Sequence, residues 1–495
     1  MSIRSLFSIL ALTAAATAQT PVVDVDWTQL GAPTRTAITL QVVENPPLTR
    51  PSPIHRAAWQ ALADLHTEKT RLALWYPYPR LAVAELKPPA PQETFWDFTQ
   101  IDPMVEDFFA ATKDRSSVFT MSTIPAWMFA PADPGPIPVS PGEAMWNYEA
   151  GENLRDPSGQ ELADYFSRVA GWYTAGGFKD ELGQRIGSSH HFNIAYWEVL
   201  NEPEYEHSLS IETYTRLYDK ISSSVHTVAP GTKFVGMSLA EPTRRPEAFE
   251  YFLNPANHAP GARLDAISYH FYATPEPGKS AEAQQYTFFA QADAFLNAVR
   301  YSESIRKRLS PQTETHINEA GCIAADDLGQ GPDSMTRPPS AEYWNLCGAV
   351  FAYLYAGLAE HGIDLVGASQ LVGYPTQFPS VSLLDWKTGE PNARYRVLEL
   401  LHENLGPGDR PARTTLRATA IYASAYVSAK GRRKMLLINK RNHAITVTVP
   451  GSIGAEQRQV DLTTVGRPAL RRVLATTEIS VGSFGVSVIN FPAEK

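Results

Sequence analysis

The sequence predicts an α/β protein: a (β/α)8 TIM barrel followed by a small C-terminal antiparallel β-sandwich domain. Three observations predict it. Short apolar, β-branched runs alternate with segments of helical spacing eight times between Thr36 and Asn404, and helix-length crossovers between short strands imply a closed parallel sheet. Beyond Gly406-Pro407-Gly408 the helical spacing stops, and β-rich runs separated by Gly and Pro take over. Two apolar runs end on a glutamate, Glu202 and Glu319, at the end of a barrel strand where functional side chains collect.

Residues 1–18 read as a secretory signal, with Arg4 as the positive charge, Leu6 to Ala16 as the apolar segment and Ala16-Thr17-Ala18 as a small-residue cleavage pattern. The mature chain is expected to start near Gln19 and to be secreted or periplasmic, with the barrel over 19–406 and the β-sandwich over 407–495. Thr36 to Val43 is the first strand, Pro46, Pro47, Pro51 and Pro53 punctuate the loop behind it, and Ile54 to His66 is the first helix. Thr70 to Trp75 is the second strand, followed by a Pro-rich loop to Phe98 and a helix from Pro103 to Ala111. Ser117 to Met121 is the third. An insertion from Pro131 to Pro157 precedes the helix Gln160 to Ala175, and loops this long inside a domain tend to be functional.

Phe192 to Val199 is the fourth strand, and it stops at Asn201-Glu202-Pro203. Pro203 has no N–H to give a ladder and is expected to restrict Glu202 to extended geometry. Ile211 to Val228 is an amphipathic helix that ends at Pro230-Gly231. The remaining pairs are Lys233–Met237 with Ala248–Leu253, Leu264–His270 with Ala281–Leu309, Thr313–Asn318 with Ala341–His361, and Leu365–Leu371 with Ala393–Asn404. Strands of the last domain are expected at Leu416–Val427, Lys434–Asn439, Ala444–Val449, Gln459–Leu462 and Val486–Phe491. Val22 to Trp27 also has strand character, so residues 22–35 could return to pair there. That domain reads either as a structural cap or as a carbohydrate-binding module.

With a net charge of −9, nucleic acid and anionic membrane surfaces are poor partners. No segment after the signal has the ~18 consecutive apolar residues of a membrane span, so no membrane insertion is expected. Cys322 and Cys347 are the two cysteines; in an exported chain they are either a disulfide or two buried thiols. No Cys/His cluster has zinc spacing and no glycine-rich phosphate loop occurs, so neither a metal nor a cofactor is expected.

The chemistry rests on Glu202 and Glu319, at the ends of strands four and seven on opposite sides of the barrel mouth. Cleavage of a sugar bond needs one carboxylic acid and one basic or nucleophilic carboxylate flanking the anomeric carbon. Glu314 also lies on strand seven, but at the end away from the mouth.

Trp197-Glu198-Val199-Leu200-Asn201-Glu202-Pro203 resembles the Asn-Glu-Pro signature of clan A retaining glycoside hydrolases. Within the clan the chain looks most like family 39, the β-xylosidases and α-L-iduronidases. Phe95-Trp96-Asp97-Phe98 with Asp102, Ile124-Pro125-Ala126-Trp127, Asp265 to Tyr272 and the C-terminal β domain carry that resemblance. It implies Glu202 as general acid/base and Glu319 as nucleophile. It further implies Tyr272 and Arg71 as donors that keep Glu319 ionised, and Asn201 as the partner of a substrate 2-hydroxyl. His270 would line the subsite floor, and Trp127 and Trp386 could stack on sugar faces. The expected substrate is an oligo- or polysaccharide, cut by β-xylosidase-like exo-action. The alternatives are an endo-acting glycosidase on a microbial exopolysaccharide and a catalytically inactive carbohydrate-binding protein.

Overall fold

Eight parallel strands close a barrel in chain order: Ala37–Val43, Thr70–Leu74, Ser117–Met121, Tyr196–Val199, Lys233–Leu239, Ala266–Ala273, Glu314–Cys322 and Leu365–Ala368. The eighth pairs with the first, Leu365 against Ala37. Every residue of the second and third strands is buried, as expected of parallel strands with helices outside and packed side chains inside. The computed structural model describes residues 20–113, 115–130, 135–148, 151, 153–327 and 338–492. The signal-like segment 1–18 and part of the insertion between Pro131 and Pro157 lie outside the described residues.

A helix follows each strand: His55–Leu65, Asp102–Thr112, Gln160–Thr174, Ile211–Val228, Pro246–Phe252, Gln284–Leu309, Ala341–His361 and Ala393–Asn404. Several begin where side chains satisfy the free N–H groups of the first turn. Ser210 accepts from the Thr213 N–H, Ser340 from Tyr343, and Asn392 from Arg394 and Tyr395. Gly362, in the left-handed region at φ 78°, ends the seventh helix.

The β-sandwich has a seven-stranded antiparallel sheet, ordered Val23–Leu30, Arg410–Leu416, Ile421–Val427, Arg433–Asn439, Val486–Asn490, Glu456–Val460 and Leu470–Val473. Ile445–Thr448 and Glu478–Val481 form a two-stranded sheet facing it, and Val23, Met435, Leu437, Val447, Ile479 and Ile489 fill the space between. The other face of the large sheet shares the barrel's core through Tyr426, Leu436, Ile438 and Val488. The first strand pairs edge to edge with Arg410–Leu416, so the chain enters the sandwich before it enters the barrel.

Some expected boundaries differ. The fourth strand starts only at Tyr196; Phe192, four residues earlier, instead stacks on Phe109 with ring centroids 4.3 Å apart. The predicted run Leu416–Val427 is two strands, broken at 417–420, a turn without Gly, Pro or Asn to announce it. Leu470–Val473 is exposed along its whole length and carries no apolar signal of a strand, whereas Glu478–Val481 does alternate exposed and buried residues, over the shortest length at which that pattern can be read. Among the described residues no helix is long and apolar enough to cross a membrane. Cys322 and Cys347 are buried free thiols.

Candidate active site

Beneath the mouth the barrel interior is polar. Arg71, on the second strand, is only 1% exposed, and each guanidinium nitrogen is engaged. Its Nε donates to Glu198 at 2.5 Å and Thr120 at 3.2 Å, Nη1 to Gln41 and Glu319, and Nη2 to Asn201 Oδ1 at 2.7 Å. Glu198, on strand four, also accepts from Thr120, Ser268 and Asn318 at 2.6–2.8 Å. Burial pushes its carboxyl up, but the Arg71 charge and these donors outweigh burial and leave it below the ordinary carboxylate range. The pair is a buried ion pair whose role is to hold Arg71 rigid.

Glu319 lies on strand seven in register with His270 of strand six. One oxygen takes Arg71, and the other accepts from the Tyr272 hydroxyl at 2.7 Å. Tyr272 is itself 2.6 Å from Ser369 Oγ at the end of strand eight. Burial raises the Glu319 carboxyl, yet the charges of His270 and Arg71 and the Tyr272 bond keep it below its usual value. Glu319 is therefore ionised and oriented before any substrate arrives.

Glu202 Oε1 is 2.7 Å from His270 Nδ1, which is also 3.7 Å from Glu319 Oε2. Ser238 Oγ sits 3.2 Å from the other ring nitrogen. Burial pushes the imidazole down, but the two facing carboxylates lift it above its ordinary 6.5 against the opposing Arg71 charge. One oxygen each of Glu202 and Glu319, together with a His270 nitrogen, lie within 4.8 Å of one another. These three are also the group whose spacing could admit a metal ion, but hydrogen bonds to Arg71, Tyr272 and His270 already account for the arrangement.

The backbone at the mouth is strained. Leu200 and Glu202 have φ of 62° and 39°, and at the end of strand five Met237 and Ser238 have 74° and 46°. Each such residue costs about 1–3 kcal/mol and persists only where the surroundings hold it. Here the Glu202 N–H donates to the Ser238 carbonyl at 3.0 Å. The buried Tyr214 hydroxyl donates to the Val199 carbonyl at 2.9 Å and accepts from the Met237 N–H at 2.7 Å, bridging the two strained ends. The expected extended geometry at Glu202 is thus corrected. Pro203 opens a short helix, Pro203–Glu206, and the Glu202 carbonyl turns to accept from the Tyr205 and Glu206 N–H groups.

Several solved structures that share this architecture are named as glycoside hydrolases. A GH51 arabinofuranosidase from Xanthomonas axonopodis pv. citri aligns with a TM-score of 0.66 at 12% identity, over 96% of this chain and 100% of that one. The GH51 α-L-arabinofuranosidase of Thermotoga petrophila RKU-1 aligns at 0.62 and 13%, covering 96% and 100%. A GH30 endoxylanase from Clostridium papyrosolvens C71 aligns at 0.57 and 14%, covering 95% and 100%. The likeness is one of fold. No protein-family model and no curated protein matches the chain.

Of the residues nominated from sequence, Glu202, Glu319, Asn201, His270, Tyr272 and Arg71 converge in one hydrogen-bonded cluster. Arg71 is buried with a protein acceptor on every guanidinium nitrogen, so it acts on substrate through Glu319 and Asn201 and is a positioning residue. The two tryptophans need correction. Trp127 is 8% exposed, its indole N–H donates to the Glu85 carbonyl and the Arg155 guanidinium lies 4.4 Å over its ring, so that face is already covered. Trp386 lines a different hollow, with Trp344 and Gly466. The aromatic wall of the mouth is Trp75 with Tyr76, Trp146 and Phe378, whose ring centroids lie 5.1–6.2 Å from Trp75. Glu206 Oε1 ties that wall to the site, accepting from Trp75 Nε1 at 2.7 Å and Asn201 Nδ2 at 2.9 Å. Trp75 closes strand two as Asn201 closes strand four; that parallel was the signal available in the sequence. Glu314 is at the opposite end of the barrel, bound to Lys69, Lys233 and Tyr196.

Two outcomes follow from this geometry. Tyr214→Phe leaves two buried backbone groups without their partner and should cost about 1–3 kcal/mol. Because it also frees the strained strand ends, kcat is expected to fall with little change in KM; chemical denaturation and steady-state kinetics check both. For His270, the folded value is raised, so its stabilising contribution is complete below pH 6.5 and is lost as pH rises through the folded value. The difference in Tm between wild type and His270→Asn should accordingly be largest below pH 6.5 and shrink on the alkaline side. A scan of Tm against pH on both proteins reads this directly.

Proposed function

We propose that the protein is a retaining glycoside hydrolase of clan A acting on neutral oligo- or polysaccharides. One observation carries the reading: oxygens of Glu202 and Glu319 lie within 4.8 Å across the barrel mouth. Retaining enzymes hold their carboxyl groups about 5–5.5 Å apart, whereas inverting ones need about 6.5–9.5 Å to seat a water. Glu319 attacks the anomeric carbon while Glu202 gives its proton to the departing oxygen. Water then attacks the glycosyl–Glu319 ester, with Glu202 taking the water's proton. Asn201, its amide oriented by Arg71 and Glu206, offers its remaining N–H to the 2-hydroxyl.

Among the described residues that build this cluster Arg71 is the one Arg or Lys, and its nitrogens are committed, which disfavours a uronate and favours a neutral sugar. A pentoside agrees with the family 39 resemblance in the sequence and with fold neighbours named as arabinofuranosidases and xylanases. Exo-action fits the aromatic wall in which Trp146, from the insertion after strand three, packs edge-on against Trp75 at 5.4 Å. Export through the segment 1–18 completes the proposal. Proton NMR of the first sugar released from aryl xylosides and arabinofuranosides tests it. The anomeric configuration should match that of the substrate; inversion would sink the double-displacement mechanism.

A further inference from the structure

Gln41, on strand one, and Ser369, the residue just past strand eight, have no part in the chemistry above, yet both are buried beside the Glu319 cluster. Five side chains there close a ring of hydrogen bonds. Arg71 Nη1 meets Gln41 Oε1, and Gln41 Nε2 lies 2.6 Å from Ser369 Oγ. Ser369 Oγ is 2.6 Å from the Tyr272 hydroxyl, which is 2.7 Å from Glu319 Oε2, and Glu319 Oε1 returns to Arg71 Nη1. The backbone around the ring is held as closely. Gln41 and Arg71 are register partners, the Ser369 N–H donates to the Ala320 carbonyl at 3.1 Å, and the Leu371 N–H donates to the Gln41 carbonyl at 2.9 Å. Arg394 Nη2 donates to the Ser369 carbonyl from the other side.

Two members of the ring have a fixed sense, and they decide the rest. A guanidinium only donates and an ionised carboxylate only accepts. The Gln41 amide must therefore turn its oxygen to Arg71 and its NH2 to Ser369. The one proton of the Tyr272 hydroxyl must go to Glu319 Oε2, since otherwise two lone pairs would face each other at 2.7 Å. That proton cannot also serve Ser369, so across their 2.6 Å contact Ser369 donates and Tyr272 accepts. The donors thus run one way, from Gln41 through Ser369 and Tyr272 into Glu319, and hydrogen bonds chained head to tail strengthen one another. Burial and the Glu319 charge push the Tyr272 phenol well above its ordinary value, so it keeps its proton, while the Ser369 contact works the other way and makes it a better donor. Arg71, His270 and Tyr272 are the ionisable groups facing Glu319, with Glu202 within 4.8 Å. Gln41 and Ser369 carry no charge and act through the direction of the Tyr272 proton.

We propose that Ser369 and Gln41 are positioning residues of the reaction, which commit the Tyr272 proton to Glu319 and so hold the nucleophile ionised and aimed. The inference rests on the reading of Glu319 as nucleophile; the sense of the ring does not. Neutron diffraction from perdeuterated crystals reads that sense without substrate. Deuterium is expected on Ser369 Oγ pointing at Tyr272, and on the Tyr272 oxygen pointing at Glu319. Deuterium on Tyr272 pointing at Ser369 overturns the proposal. Kinetics with aryl glycosides reads the service to chemistry. Ser369→Ala should lower kcat on the order of tenfold with KM little changed. It should also move the acid limb of kcat/KM to higher pH, because a carboxylate with a weakened donor is easier to protonate. Ser369→Thr, which keeps the hydroxyl, should restore both. Placed in a Tyr272→Phe protein, Ser369→Ala should cost no further activity, since its effect passes through the phenol. Additive losses, or an acid limb that Ser369→Ala leaves in place, make Ser369 a structural side chain and overturn the proposal. The expected deuterium positions in a wild-type protein that cleaves no glycoside would uphold the ring and sink the glycosidase reading instead.

Discussion

Glu319→Gln is expected to lower kcat at least about 10⁴-fold while the protein stays folded, since removing a nucleophile from a covalent mechanism leaves only binding and electrostatic assistance. The side chain keeps its volume, and its amide oxygen can still accept from Tyr272, so substrate should bind with KM little changed. Folding should survive for a specific reason. Arg71 keeps its second carboxylate, Glu198, and does not become an unpaired buried charge. Steady-state kinetics with aryl glycosides, alongside a melting curve, separates loss of chemistry from loss of structure. A Glu319→Gln protein with near-wild-type kcat would remove Glu319 from the nucleophile's role.

Glu202→Ala should behave differently, and the difference assigns the roles. Loss of a general acid costs typically about 10²–10⁴-fold, but only where the leaving group needs a proton. For a dinitrophenyl glycoside the first step should stay fast and the glycosyl-enzyme should accumulate, giving a burst followed by slow turnover. For an unactivated disaccharide the full loss should appear. Added azide, which needs no base, should speed the second step and yield a glycosyl azide with the substrate's own configuration. Equal losses for both substrates would contradict the acid/base assignment.

The paired carboxylates were legible in the sequence because each closes an apolar run, and the place of a residue along a parallel strand decides which end of the barrel it reaches. The helices Ile211–Val228, Ala341–His361 and Ala393–Asn404 were legible to the residue, since Ser210, Ser340 and Asn392 mark their starts. Backbone conformation at the mouth was not. A Glu before Pro ordinarily stays extended, and the Tyr214 bridge and the Glu202–Ser238 backbone bond, both made between separate strands and helices, hold the four left-handed residues at two strand ends. Trp127 misled for a related reason: composition marks an indole as a sugar platform, but whether Arg155 already covers its face is settled by packing. The role of Glu206 was not legible, because the one-turn helix after Pro203 that brings it to Asn201 has no periodicity to read.

The measurement that bears most directly on the central claim is intact-mass analysis after incubation with 2-deoxy-2-fluoro xylosides and arabinofuranosides carrying good leaving groups, followed by peptide mapping. Such sugars slow the second step and trap the covalent intermediate. One adduct per chain, on the peptide containing Glu319 and absent from Glu319→Gln, is the predicted result. An adduct on any other carboxylate, or turnover of the parent glycoside with inversion and no adduct, would contradict the account.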